Sequence, residues 1–278
     1  MHWLTDPYRS EFMRNAAMIA VLVGVLAPTI GVWVVLRRLS YLGDAMSHGT
    51  LAGVAGAYLL GVSITIGAIS AGVTMGLLVT LFERRRRVGQ DAAIGVAESL
   101  LFAIGIVLIS RSDRIGVDLT HYLFGQIITV NRHDLLINAL LTIVALAIVV
   151  VLFGDLRAVT FDAAHAAQVG IHVGAVHLLL MVLISITVVV CLDTVGLLMS
   201  ISLIVTPAAA ARMVTHRVRT MTLAAVGIGI TSSLVGLTLA YHLATPPGPT
   251  IALCAIAWFL AVGAASARPL RRRSLLPT

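Results

Sequence analysis

Nine apolar runs, broken by short polar or arginine-bearing stretches, recur along the chain near residues 16–36, 42–61, 63–82, 92–110, 134–153, 174–192, 195–213, 220–242 and 249–267. Each is long enough to cross the hydrocarbon core of a bilayer as a helix, which takes about 20 residues. Lipid offers the backbone no hydrogen-bond partners, so a spanning segment of this kind satisfies itself as an α-helix. The pattern predicts an all-α, polytopic membrane protein with about nine transmembrane helices, within a range of eight to ten. Residues 119–130 (LTHYLFGQIITV) account for that range, being too short to cross comfortably and too apolar for an ordinary loop. They are expected to be re-entrant or interfacial, and a full crossing would change the parity of the count. Residues 1–15 mix polar and apolar positions after Asp6 and Pro7, a helix-start pair, and predict a short amphipathic segment on the membrane surface. No polar block is long enough for a second domain, so residues 1–278 read as one transmembrane domain.

Composition sharpens this picture. Hydrophobic residues make up 59% of the chain, charged residues 11%, and the mean hydropathy is +1.02, which excludes a soluble globular domain. The net charge of +7 would suggest nucleic acid in a soluble protein. Here the basic residues sit between apolar runs and act as topology signals, so no nucleic-acid partner is indicated. Fourteen of the nineteen arginines fall on one side when 37–41, 83–91, 154–173, 214–219 and the tail after 267 are placed in the cytoplasm, with Arg212 at the inner membrane edge. The N-terminus is then external and the C-terminus cytoplasmic, in a multi-pass protein of the plasma (inner) membrane. Residues 84–87 are four consecutive arginines suited to anionic lipid headgroups. All the basic residues are Arg, and without a lysine the chain cannot contain a P-loop. Any ATP that drives it is bound by another subunit. Cys191 and Cys254 lie in apolar runs without CxxC spacing and are expected to be core residues.

Within the second run, Asp44 and His48 are four residues apart. That spacing puts both side chains on one helical face. Ionisable groups at membrane depth are costly and mark functional sites. A carboxylate and an imidazole so placed suit a divalent transition metal such as manganese, iron or zinc. On spacing alone a second reading stands open, in which Asp44 caps a helix start and His48 bonds a neighbouring carbonyl. Glu98 lies inside the fourth run and reads either as a neutral, hydrogen-bonded group near the inner end of its helix or as a secondary ion contact along a pathway.

Residues 37–61, RRLSYLGDAMSHGTLAGVAGAYLLG, resemble the second span of the permease subunits of the zinc, manganese and iron class of ABC importers. The match is carried by Arg37, Arg38, Ser40, Gly43, Asp44, Ala45, Ser47, His48, Leu51, Gly53, Val54 and Ala55. Ala52 departs from it, since many members carry proline there. HYLFG from His121, the FD-x-x-x-A-x-x-x-G pattern of Phe161, Asp162, Ala166 and Gly170, the VGLLMSISLIVTPAAAA stretch with Pro207, and the PPGPT turn at 246–250 are similar to further segments of the same permeases in collinear order. Ser202 replaces a leucine of that pattern.

The resemblance implies the ABC importer permease fold, with Asp44 and His48 as ligands of the transported metal, His121 near an external gate, and residues 154–173 as the region that couples to the ATPase through Phe161, Asp162, Ala166 and Gly170. It further implies two copies of a separate ABC ATPase, a second permease that is identical or paralogous, an extracytoplasmic metal-binding protein, and no resident cofactor, the ion being Mn2+, Zn2+ or Fe2+ in transit. Permeases for metal chelates such as haem or a siderophore share the general architecture but would not need the Asp44 and His48 pair. An intramembrane metal-dependent enzyme would use Asp and His too, yet the chain lacks an H-E-x-x-H pattern. The expected role is transport, with no catalytic residues in this chain.

Overall fold

The computed structural model describes residues 8, 10–83, 89–110 and 132–266, and side chains 193–195 and 197–199 are left out of the description. Among the described residues the chain is helical without strands: α1 (Glu11–Leu36), α2 (Ser40–Leu60), α3 (Ile64–Glu83), α4 (Gln90–Ser110), α5 (Arg132–Val151), α6 (Phe153–Phe161), α7 (Ala163–Gln168), α8 (Val173–Val195), α9 (Leu197–Val214), α10 (Val218–Leu243) and α11 (Pro247–Ser266). The nine long helices match the nine expected runs in order. Seven of them are long and apolar enough to cross a membrane. The exceptions are informative: α2 falls short because it carries Asp44, His48 and many small residues, and the apolar stretch of α9, Ser200–Val214, is shorter.

Two boundaries differ from the sequence-based expectation. α1 starts at Glu11, so residues 11–15 form its first turn rather than part of a separate surface segment. The 154–173 connection is two short helices, α6 and α7, broken at Asp162, whose extended backbone lets its carboxylate accept the His165 N–H at 2.8 Å.

The core is built around α1, which packs on α5, α8, α9 and α10. Met13, Ile19, Val23, Leu26, Ile30 and Trp33 of α1 are fully buried. Small residues set the helix spacing, since close backbone approach is what holds helices together where lipid is as apolar as leucine. A Cβ on Gly53 of α2 would collide with the Gly67 carbonyl of α3, and one on Gly72 of α3 would collide with Ser185 of α8. Gly105 of α4 lies against the Leu51–Ala52 backbone of α2 in the same manner. α2, α3 and α4 therefore form a tight trio, joined to the α1 core through α8 and α9.

The helix ends sort into two groups. At one end Tyr8 bonds Thr238 at 2.8 Å, and Glu11 at the start of α1 pairs with Arg132 at the start of α5. At the other, the α1–α2 turn, the end of α3, the start of α4, α6 and the start of α8 meet around one cavity. These are the segments that the arginine distribution leads one to expect on the cytoplasmic side.

Candidate functional site

The site begins with the turn that launches α2. α1 ends in a Schellman arrangement: the Leu39 N–H reaches back to the Val34 carbonyl at 2.8 Å, and Arg38 adopts φ +60° at the position that usually takes glycine. A non-glycine residue there costs roughly 1–2 kcal/mol. Burial of Leu39 beside Val34 offsets it and fixes the direction in which α2 leaves. Gly61, with φ +67°, ends α2 in the left-handed conformation.

Along α2, Tyr41, Asp44 and His48 fall on one face, at spacings of three and four residues. His48 Nε2 lies 3.9 Å from Asp44 Oδ1, and the side chains keep 32% and 41% of their surface. α4 runs beside this face in the same direction and supplies Glu98 and Phe102, again four apart. The Tyr41 hydroxyl donates to Glu98 Oε2 at 3.1 Å, and the Phe102 ring meets the His48 ring edge-on at 5.9 Å. Tyr41 is within electrostatic reach of Asp44 as well as Glu98. The structure thus brings three predicted residues, Asp44, His48 and Glu98, to a single half-open face. Glu98 is neither deeply buried nor isolated, because Tyr41 holds it. His121 lies outside the described residues.

The flank of α2 beside this face is locked. Ser47, between the two predicted ligands in sequence, is fully buried; its hydroxyl donates to the Gly43 carbonyl at 3.0 Å and lies 3.2 Å from Ser200 Oγ of α9. That contact fixes the rotation of α2 about its axis, and with it the direction of the Asp44 and His48 face. Sequence reasoning missed Ser47 and Tyr41 as site residues. Their signal was the spacing itself, Tyr41 being one turn before Asp44 and Ser47 one turn after it on the adjoining flank.

Two ligands in one coordination shell at ~2.1 Å from a metal in tetrahedral geometry lie about 3.4 Å apart. The 3.9 Å between Nε2 and Oδ1 is within a small rotamer adjustment of that value. Among the described residues no group of three or more His, Cys, Asp and Glu converges to hold an ion within one chain. The pair supplies one oxygen and one nitrogen ligand, and the face around it is open.

Some distance away, the FD-x-x-x-A-x-x-x-G residues each have a physical role. Phe161 ends α6 with 63% of its surface exposed, Asp162 caps α7, Ala166 is the fully buried residue of α7, and Gly170 takes φ +88° in the turn toward α8. The segment is a capped turn that presents an aromatic ring.

Residues 9–266 match the ABC 3 transport family. The chain belongs to that family. It is 36% identical over 249 residues to the manganese transport system membrane protein MntC of Halalkalibacterium halodurans, covering 90% of this chain and 85% of that protein. It is 31% identical to a probable iron transport system membrane protein of Haemophilus influenzae, over 93% of this chain and 95% of that one. Among solved structures, PsaBC from Streptococcus pneumoniae in complex with Fab superposes with a TM-score of 0.85 at 32% identity, covering 94% of both chains. As an ABC 3 family member the chain has the ABC permease fold and is a multi-pass plasma-membrane protein. It is a transport subunit rather than an enzyme, with the ATPase on a separate subunit.

Proposed function

We propose that this chain is the permease of an ATP-driven importer of a divalent transition metal, manganese in the first instance, and that Asp44 and His48 are its contribution to the ion's central binding site. The observation that carries this reading is the pairing of Asp44 and His48 at 3.9 Å on a face of α2 that remains open. A transition metal takes four to six ligands, and one chain offers two. Two-fold association of permeases through the α2 and α4 faces would supply four. Glu98 flanks the pair and draws cations toward it. The relatives named for manganese and iron transport support a hard or borderline divalent ion held by oxygen and nitrogen. A bulky chelate would gain nothing from two ligands so closely spaced.

In this reading the ion arrives from an extracytoplasmic binding protein, exchanges water for the carboxylate of Asp44 and the neutral ring of His48, and leaves inward when the permeases move. Binding must offset dehydration yet remain weak enough for release. The movement is driven by two copies of the ABC ATPase, docked on the cytoplasmic α6–α7 turn where Phe161 is exposed. His121 belongs to the external approach.

The test is ATP-dependent uptake of manganese, zinc and iron into proteoliposomes holding the complete transporter, for the wild type, Asp44→Ala and His48→Ala. Uptake of one ion that is lost in both variants, with assembly intact, is the expected result. Normal uptake in both variants overturns the site.

A further inference from the structure

The cavity at the inner end of the bundle, about 500 Å3, has a polar lining of Arg37, Arg38, Glu83, Gln90, Thr160 and His177. Arg37 is the hub. Its Nε donates to Thr160 Oγ1 of α6 at 3.2 Å, and its Nη1 lies 3.4 Å from His177 Nδ1 of α8. Thr160 can accept because its own proton is given to the Leu156 carbonyl. Burial pulls the Arg37 pKa below its ordinary value, but a guanidinium keeps its charge in proteins.

One turn earlier on α1, Trp33 packs edge-on against Phe153 of α6 at 5.4 Å. Trp33 and Arg37, four apart, therefore lie along the α6 face that carries Phe153 and Thr160, seven apart. The contact is apolar at one rung and polar at the next. Arg37 also begins the strained three-residue turn that launches α2, and Asp44 follows seven residues later. Motion of α6 has a short, polar and directional route to the helix bearing Asp44 and His48.

The far side of the hub is unfinished. A guanidinium only donates, so Arg37 leaves His177 Nδ1 as the acceptor and a neutral ring carries its proton on Nε2. That atom lies 3.9 Å from Glu83 Oε2 of α3, too far for a hydrogen bond. His177 Nε2 and Glu83 Oε1 are both buried without a hydrogen-bond partner. Buried polar atoms left so are costly, and a small shift of α8 against α3 would join them. A cation station at Glu83 and His177 is disfavoured by the same geometry, since a ligating imidazole gives its second N–H to an acceptor and here faces a positively charged donor.

We infer that Arg37 is a positioning residue for transport: it transmits displacement of α6 to the α2 turn through Thr160, while the His177 and Glu83 pair opens and closes between the two states. This rests on the reading of α6–α7 as the ATPase dock.

The experiment compares metal moved per ATP hydrolysed, in proteoliposomes of the complete transporter, for Arg37→Gln, Arg37→Lys, Thr160→Val and Phe161→Glu. Manganese affinity of the resting complex is measured alongside by titration calorimetry. Arg37→Gln and Thr160→Val should keep manganese affinity and ATP hydrolysis while uptake per ATP falls about tenfold or more, with partial recovery in Arg37→Lys. Should Arg37→Gln fail to assemble, the near-isosteric Thr160→Val decides alone, and normal coupling in it overturns the inference. If Phe161→Glu lowers ATPase association but both Arg37→Gln and Thr160→Val stay fully coupled, the inference falls and the docking reading survives. If Phe161→Glu changes neither association nor hydrolysis, the docking reading falls and takes this inference with it.

Discussion

The Tyr41 hydroxyl donates a 3.1 Å hydrogen bond to Glu98, tying the carboxylate midway along α4 to the helix that carries Asp44 and His48. The pairing joins residues 57 positions apart and places a third acidic or basic group beside the proposed ion ligands.

Removing the charge of Glu98 tests what it does. Glu98→Gln preserves an acceptor for Tyr41 and leaves Asp44 and His48 untouched. The apparent KM for manganese uptake should rise about three- to tenfold with little change in maximal rate, equivalent to roughly 0.7–1.4 kcal/mol of lost attraction. Tyr41→Phe should give a smaller rise, because the carboxylate remains but is no longer held. An unchanged KM in Glu98→Gln would make Glu98 a packing residue.

Rotation of α2 depends on Ser47 and Ser200. Ser47→Ala removes the 3.2 Å contact and a hydroxyl that already bonds its own helix, and should cost only about 0.5–1.5 kcal/mol. Ser47→Leu forces a large side chain between fully packed helices and turns the Asp44 and His48 face. Manganese affinity, read by calorimetry on the purified complex, should fall tenfold or more in Ser47→Leu and less than threefold in Ser47→Ala. Equal losses in the two variants would argue that the hydroxyl itself takes part.

Much of the architecture was legible because hydrophobic length is a local property. The nine long helices follow the nine apolar runs, and Asp44 with His48 stood out by the cost of burying ions in lipid. What was not legible depends on partners far away in sequence. Glu98 read either as a neutral group near a helix end or as a secondary ion contact, and only the fold puts it on Tyr41, 57 residues away. Arg37 read as a topology signal, and only the fold puts it on Thr160, 123 residues away, and on His177, 140 away. The break at Asp162 was hidden because a single capped residue interrupts an otherwise helical composition.

The α6–α7 turn offers a graded test. Asp162→Ala deletes the cap on the His165 N–H and should lower local stability by about 1 kcal/mol. Phe161→Ala leaves the turn intact but removes the exposed ring. Copurification of the ATPase with the permease should drop several-fold in Phe161→Ala and less in Asp162→Ala, since a cap can be replaced by water and a buried interfacial ring cannot. Full retention in Phe161→Ala would move the docking surface elsewhere.

Two glycines of α10 separate packing from propensity. Gly229 faces α1, where an added Cβ would strike the Gly24 carbonyl and Pro28. Gly227, two residues away, has open space around its Cα. Both sit in the same helix, so replacing either with alanine brings the same propensity gain, up to about 1 kcal/mol. Only at Gly229 must the α1–α10 contact separate, and overpacking of this kind costs about 1–3 kcal/mol or more. Thermal unfolding in detergent should therefore show Gly229→Ala several degrees below the wild type and Gly227→Ala at or slightly above it. Equal midpoints for the two variants would mean that the α1–α10 contact is looser than its backbone geometry indicates.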